Sequence, residues 1–245
     1  MPASTSMPTA LPSEARTWTG SGWRAVEAQH RNATLGLMHG HLGNQALLED
    51  IIEEVKPVLP DEAEGLHFLL STPFRYRAPP PSGSRFRGRL DPGVFYGAED
   101  VRTACIELGY WRLKFWMDSE GLSARTTSIS LTLFEFHGST PAMVDLTKPP
   151  FVNRRTDWIH PGDYGQTQAL AARLRQDGVE MIRSESARNG PEGRCLAILT
   201  PRVFKAVQSP FRHHQQSWNL FIQPPNLGVW QRSLNNDSFE FRYCL

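Results

Sequence analysis

Six arginines stand between Thr72 and Glu107: Arg75, Arg77, Arg85, Arg87, Arg89 and Arg102. The segment reads TPFRYRAPPPSGSRFRGRLDPGVFYGAEDVRTACIE and mixes them with aromatics, prolines and glycines. A guanidinium is a planar fork that donates several hydrogen bonds at once, the geometry best matched to phosphate oxygens. The segment closes on a helical pattern carrying one carboxylate, Glu107. On that pattern Val101, Ala104, Cys105, Leu108, Arg112 and Phe115 share a side, with Trp111 flanking it. Glu107 neighbours both Ala104 and Trp111, so it is predicted at the border of the buried face. A carboxylate partly withdrawn from water beside basic groups is tuned for acid/base work or for stabilising positive charge. The chemistry that this order of residues points to is an anion site with a charge-stabilising group next to it.

The elements that must hold these residues are only partly periodic. Asp100 is a suitable N-cap for a helix running to about Met117. Val94–Tyr96 reads as a short strand, and FRYR around Arg75 as strand-like. Pro79–Ser84 reads as a loop. From Trp18 to Leu70 the pattern is mostly helical; Leu47, Leu48, Ile51, Ile52 and Val55 share one face, and Pro57 and Pro60 stop that helix. Thr126–Phe136 alternates as a strand. Gln168–Gln176 is an amphipathic helix, with Gly178 placed to end it. Val179–Ile182 reads as a strand, residues 183–193 as a loop carrying Ser186, and Cys195–Thr200 as a buried strand. Trp218–Ile222 and Phe239–Tyr243 read as terminal strands, with a turn at Asn235–Asp237. Helices and strands interleave without a βαβ rhythm, which predicts an α+β domain with a compact mixed sheet. The expected organisation is a disordered tail over 1–16, a helical N-terminal element over 17–70, a catalytic domain over 71–208 and C-terminal strands over 209–245, packed on the same domain.

Composition narrows the function classes. The chain has 245 residues, 26 of them basic and 25 acidic, so bulk charge gives no reason to expect nucleic acid or an anionic membrane. No apolar run reaches the roughly 20 residues of a membrane span. The N-terminus has neither the basic nor the apolar region of a secretory signal. Three widely spaced cysteines suit a reducing, cytoplasmic setting. Dinucleotide-fold, P-loop, zincin and zinc-ribbon signatures are missing. His39 and His41 form a pair that no Cys or acidic cluster completes, so no metal is expected. Taken singly, Arg77, Arg87 and Arg102 read as surface arginines, Tyr96 as a core-edge residue and Ser186 as an ordinary polar one.

Their order is more specific than any one of them. FRYR, RGRLDPG, FYGAED, VRTACIELGYWR and TQALAARLRQDGVEMIRSESAR, followed by CLAIL, resemble the successive motifs of the RES domain family, named for its Arg, Glu and Ser. The resemblance covers roughly residues 72–205. Leu90-Asp91 stands where the family has Trp-Asn, and the stretch from there to Tyr96 is shorter, so Arg85 and Arg89 compete for the family's second arginine. Ser184 competes with Ser186, which keeps the spacing to the following Ala187-Arg188. The resemblance implies a fold similar to the diphtheria-toxin-type ADP-ribosyltransferases. It also implies a toxin paired with a helix-turn-helix antitoxin of the Xre type, and consumption of NAD as a substrate. On that basis Glu107, Arg89 and Tyr96 are the expected catalytic residues. Arg75, Arg89 (or Arg85), Tyr96 and Ser186 are expected to bind NAD, with inorganic phosphate as a potential co-substrate. Transfer to a protein, or a non-catalytic interaction role, are the alternatives. The flanking regions could extend the fold, cover the site or mediate homo-oligomer assembly.

Overall fold

Arg16–Glu27 form a strand, β1, which corrects the helical reading of this stretch. The physical reason is local composition. Thr17, Trp18, Thr19 and Trp23 favour a pleated, half-buried surface, whereas Gly20 and Gly22 weaken a helix. Gly22 is also required by packing, since a β-carbon there would lie 2.6 Å from the Phe136 ring and 2.9 Å from the Ala98 carbonyl. The computed structural model describes residues 12–27, 47–48, 50–52, 54–76, 83–206, 211–235 and 237–244. The His39/His41 pair, Arg77 and residues 79–82 of the expected loop lie outside the described residues. Leu47, Ile51, Ile52 and Val55 are exposed, although their spacing predicts a packed face.

The remaining elements are α1 (Phe68–Arg75), β2 (Phe95–Ala98), α2 (Val101–Asp118), β3 (Thr127–Asp145), α3 (Arg155–Trp158), α4 (Gly165–Gln176), β4 (Met181–Ser186), β5 (Gly190–Ile198), α5 (Arg202–Lys205), β6 (Phe211–Gln223), β7 (Leu227–Arg232) and β8 (Ser238–Arg242). Arg75 therefore ends a helix, not a strand; the His67 ring caps that helix by accepting from Leu69 N. Gly178 ends α4 with a φ of 78°, as its position after the last apolar residue predicts. Ser186 closes β4 and does not sit in a loop. β7 has no counterpart in the periodicity reading.

Among the described residues, the eight strands join one mixed sheet in the order β1-β2-β5-β4-β3-β6-β7-β8, and β1 also pairs with β3. The long β3 thus meets β6 along its first part, β1 from Leu131 to Met143, and β4, in parallel, at its end. The pairings close β1, β2, β5, β4 and β3 into a ring around a core of Phe95, Phe134, Phe136, Leu196, Ile198 and Phe204. Fully burying each such side chain contributes about 1.5–3 kcal/mol. α2 packs over a second core that includes Trp218, Leu220, Trp230 and Tyr243, and α4 covers a third with Trp158, Phe151 and Ile182. The architecture is α+β. No helix among the described residues is long and apolar enough to cross a membrane.

Candidate active site

Glu107 owes its position to the start of α2. The Asp100 carboxylate caps that helix, accepting from Thr103 N at 2.7 Å and from Thr103 Oγ1 at 2.7 Å. Thr103 Oγ1 in turn accepts from Asn189 Nδ2 at 2.9 Å, which ties the helix to the turn between β4 and β5. The buried side of α2 comprises Thr103, Ala104, Cys105, Ile106, Gly109, Tyr110 and Leu113. Trp111 and Phe115 are exposed, so the buried stripe is rotated from the expected one. The rotation follows from β7 and the segment after β8, which place Trp230 and Tyr243 beneath Gly109. Glu107 lies at the border of this stripe and lines a cavity of about 260 Å³.

Ser186 holds one carboxylate oxygen. Its hydroxyl accepts the backbone N–H groups of Asn189 at 2.8 Å and Arg188 at 3.2 Å, and donates to Glu107 Oε1 at 2.5 Å. Cys195 Sγ donates to the same oxygen at 3.5 Å. Burial, and then the Glu107 charge, push the Cys195 thiol well above its ordinary range, so it stays protonated. Both bonds end on Oε1, so Oε2 has no hydrogen bond among the described residues.

Tyr96 also lines the cavity, but its hydroxyl is engaged with the arginine segment. It accepts from Phe86 N at 3.0 Å and lies 2.8 Å from Ser84 Oγ. Burial raises its pKa, so the phenol remains neutral. These bonds pin a tight turn whose ends, Ser84 and Arg87, bond each other through their backbones at 2.8 and 3.1 Å. Arg85 projects from that turn. Its Nη1 donates to the carbonyls of Trp158 and His160 at 2.9 and 3.0 Å, and its guanidinium lies 4.9 Å from the centre of the Tyr164 ring.

Of the two arginines that compete for one motif position, the structure brings Arg85 to the cavity. Arg89 is exposed on a turn that Asp91 folds shut by accepting from Gly88 N at 2.7 Å. Arg75, at the end of α1, donates through Nε to the Pro57 carbonyl at 2.5 Å. Neither is among the residues lining the cavity. Arg87 is bonded to the carbonyls of Asp91 and Tyr76, and Arg102 lies over the Phe239 ring.

Two further arginines that the sequence reading does not single out line the cavity. Arg24, on β1, donates to the Tyr96 carbonyl at 2.6 Å and lies 4.7 Å from the centre of the Phe95 ring, while its Nε has no partner. β1 and β2 pair only at Trp23 and Ala98, so the strands part beside Arg24 and leave that carbonyl open to it. Burial pushes its pKa down to about 10. Arg188 lies 3.5 Å from the centre of the Tyr110 ring and donates to the Pro161 carbonyl at 2.6 Å. Its only signal in the sequence is its place two residues after Ser186; Arg24 is hidden by the helical reading of its strand. Arg24, Arg85 and Arg188 have no carboxylate partner among the described residues, whereas the other acidic residue in the lining, Glu185, is paired with Arg155. Three guanidiniums without carboxylate partners beside one oriented carboxylate have the chemistry to hold an anion next to a centre that gains positive charge. Among the described residues, no group of three or more His, Cys, Asp or Glu side chains is placed to hold a metal ion.

Comparison with known proteins places the chain in a family. No curated protein matches it. Among solved structures, a chain of the M. tuberculosis MbcT–MbcA toxin–antitoxin complex is similar over 89% of this chain and 94% of its own, at 13% identity and a TM-score of 0.44. The sequence model described as the RES domain matches residues 59–222, which include Arg85, Tyr96, Glu107 and Ser186 and leave Arg24 outside. A match over more than half the chain establishes membership: this chain belongs to the RES domain family.

Proposed function

We propose that this RES protein consumes NAD by cleaving its nicotinamide–ribose bond, with phosphate or water as acceptor, and that it is the toxin of a toxin–antitoxin pair. The observation that carries this reading is the Ser186–Glu107 carboxylate set in a cavity with three arginines that lack carboxylate partners. When the bond breaks, its electron pair moves to the pyridinium nitrogen and neutralises it, so nicotinamide leaves without a proton. The ribose carbon acquires oxocarbenium character, as in glycoside cleavage. Glu107 stabilises that charge through the oxygen that Ser186 leaves free. Water or phosphate then closes the bond to the anomeric carbon, and water loses a proton in doing so.

The arginines supply the complementary half. Arg24, Arg85 and Arg188 take the pyrophosphate-holding role that motif order assigns to Arg75 and to Arg89 or Arg85. Tyr96 contributes its ring to the wall, since its hydroxyl is bound to the arginine turn. The cavity, about 260 Å³, falls just below the roughly 300–1,000 Å³ usual for sites that enclose a whole drug-sized ligand. It suits the nicotinamide riboside half, with the adenosine half outside. The ADP-ribosyltransferase-type fold and a helix-turn-helix antitoxin belong to the same reading.

The test is to incubate purified protein with NAD, with and without phosphate, and to follow free nicotinamide while identifying the ADP-ribose product. Release by the wild type, lost by orders of magnitude in a folded Glu107→Ala variant, supports the proposal. No release under either condition sinks it. Label bound to protein in a lysate supplied with labelled NAD would instead indicate transfer to a macromolecule.

A further inference from the structure

The floor of the cavity contains a polar group that the mechanism above does not use. Trp23, Ala98, Cys195 and Ser184 stand directly opposite one another on β1, β2, β5 and β4, a single row across four strands. Residues opposed in this way present their side chains on one face of the sheet, and all four line the cavity. Cys195 touches Glu107 in this row. Ser186, two residues along β4 and therefore on the same face as Ser184, holds the same carboxylate.

Ser184 is wholly buried, yet its Oγ has no hydrogen-bond partner among the described residues. It is the one side-chain hydroxyl in that state among the described residues. Buried hydroxyls are almost always paired, so an orphan in the lining of a cavity calls for a ligand atom or a water. Around it the floor is small and apolar, with Ala98 and Ala197 on neighbouring strands and the Trp23 and Tyr96 rings in the walls. That shape accepts a flat ring, and the hydroxyl can donate to or accept from a polar substituent on it.

We infer that Ser184 is the carboxamide-reading group of this cavity, its hydroxyl pairing with the amide of a nicotinamide ring seated on the small-residue floor. The inference rests on the NAD reading for the identity of the ring. It places the leaving group beside Glu107 and gives the site a means of distinguishing nicotinamide from a bare pyridinium. A carboxamide both donates and accepts, so it satisfies the hydroxyl whichever way that group rotates.

A cycle that deletes one partner on each side isolates the contact. Binding of nicotinamide and of pyridine is measured by titration calorimetry on wild type and Ser184→Ala, with no turnover involved. Wild type is expected to prefer nicotinamide by about tenfold or more, the size of one hydrogen bond in a dry site. In Ser184→Ala the two ligands should bind within about threefold of each other. The variant should melt no lower than wild type, because it loses a hydroxyl that has no partner in the free protein. Failure of wild type to bind nicotinamide, or an unchanged preference in the variant, overturns the assignment. Preferential nicotinamide binding without release of nicotinamide from NAD would leave the subsite standing and remove the catalytic reading.

Discussion

Ser186 Oγ donates to Glu107 Oε1 at 2.5 Å across 79 residues of sequence. The bond joins the end of β4 to the second turn of α2, and the hydroxyl is itself fixed by two backbone N–H groups of the turn that follows. A hydroxyl with both acceptor positions occupied has a single direction left for its proton, and that direction is the carboxylate. Ser186 thereby fixes Oε1 of Glu107 and leaves Oε2 without a hydrogen bond among the described residues.

Ser186→Ala should therefore act on turnover more than on binding. It leaves the Arg188 and Asn189 N–H groups without their acceptor and frees the carboxylate to rotate. We expect kcat for NAD cleavage to fall about 10- to 100-fold, by analogy with the loss of one positioned hydrogen bond. KM should change little, and stability should drop by about 1–3 kcal/mol from the unpaired donors. Steady-state kinetics beside urea melts would separate the two effects. A rise in KM at constant kcat would place Ser186 on the ligand and not on Glu107.

Arg24→Met should separate folding from binding in the opposite sense. Burial lowers the Arg24 pKa from the ordinary guanidinium range to about 10, so the fold disfavours its charged form. The sign follows: the penalty is present throughout neutral pH and is relieved only as pH rises through about 10. Replacing such a charge with an apolar chain of similar length is often neutral or stabilising. The ligand-free variant should accordingly melt at or above the wild-type temperature. NAD should bind at least about tenfold more weakly, reflecting one lost charge-assisted hydrogen bond. Arg24→Lys should recover little, because an ammonium cannot bond the Tyr96 carbonyl and a phosphate with the same planar fork. Equal NAD affinity in all three proteins would remove Arg24 from the site.

What could be read from the sequence followed the range of the interactions involved. The α2 cap, the end of α4 at Gly178 and the Tyr96–Glu107–Ser186 set are written in local pattern or motif order. Arg24 was not legible as a site residue, because its place beside the cavity is set by the pairing of β1 with β3, more than 100 residues away in register pairs such as Trp23 with Glu135. The rotated face of α2 was hidden for a similar reason: helical periodicity marks an apolar stripe, but the rings of Trp230 and Tyr243 decide which part of it is covered. Arg85 and Arg89 are four residues apart with similar surroundings in the sequence. Only the fold of the Ser84–Arg87 turn shows which one faces inward.

Stability should be flat near neutrality and decline on the alkaline side. Burial raises the thiols of Cys105 and Cys195 well above their ordinary value of 9.0, and raises the phenols of Tyr96, Tyr164 and Tyr243 above 10.0. Each of these acids is held protonated by the fold. Their contribution is complete below the unfolded values and is lost as pH rises from about 9 towards the folded ones. Urea melts between pH 7 and 11 should show the decline, and Cys105→Ala should reduce its first part, between about pH 9 and 10. At pH 7 a maleimide should label Cys244, which is exposed, and leave the two protonated thiols unmodified until the chain unfolds. Rapid labelling of Cys195 in the folded protein would contradict the direction given for its pKa.

Gly109 gives the clearest test of whether the C-terminal strands position the site. It lies on α2 two residues after Glu107, and a methyl group there would run into the Tyr243 hydroxyl and lie 2.9 Å from the Trp230 ring. Tyr243 and Trp230 are bonded to each other at 3.2 Å and are almost completely buried, so neither can move aside freely. Gly109→Ala gains helix propensity of about 0.8–1.0 kcal/mol, but the overpacking should outweigh it with a loss of about 1–3 kcal/mol. Because α2 carries Glu107, the displacement should also lower NAD turnover. Restoring room with Gly109→Ala/Tyr243→Phe, which removes the colliding oxygen, should recover part of both losses. Thermal melts and nicotinamide release measured on wild type, both of these variants and Tyr243→Phe alone would show it. If Gly109→Ala were as stable and active as wild type, α2 would be free to shift over the C-terminal strands, and their part in aiming Glu107 would be refuted.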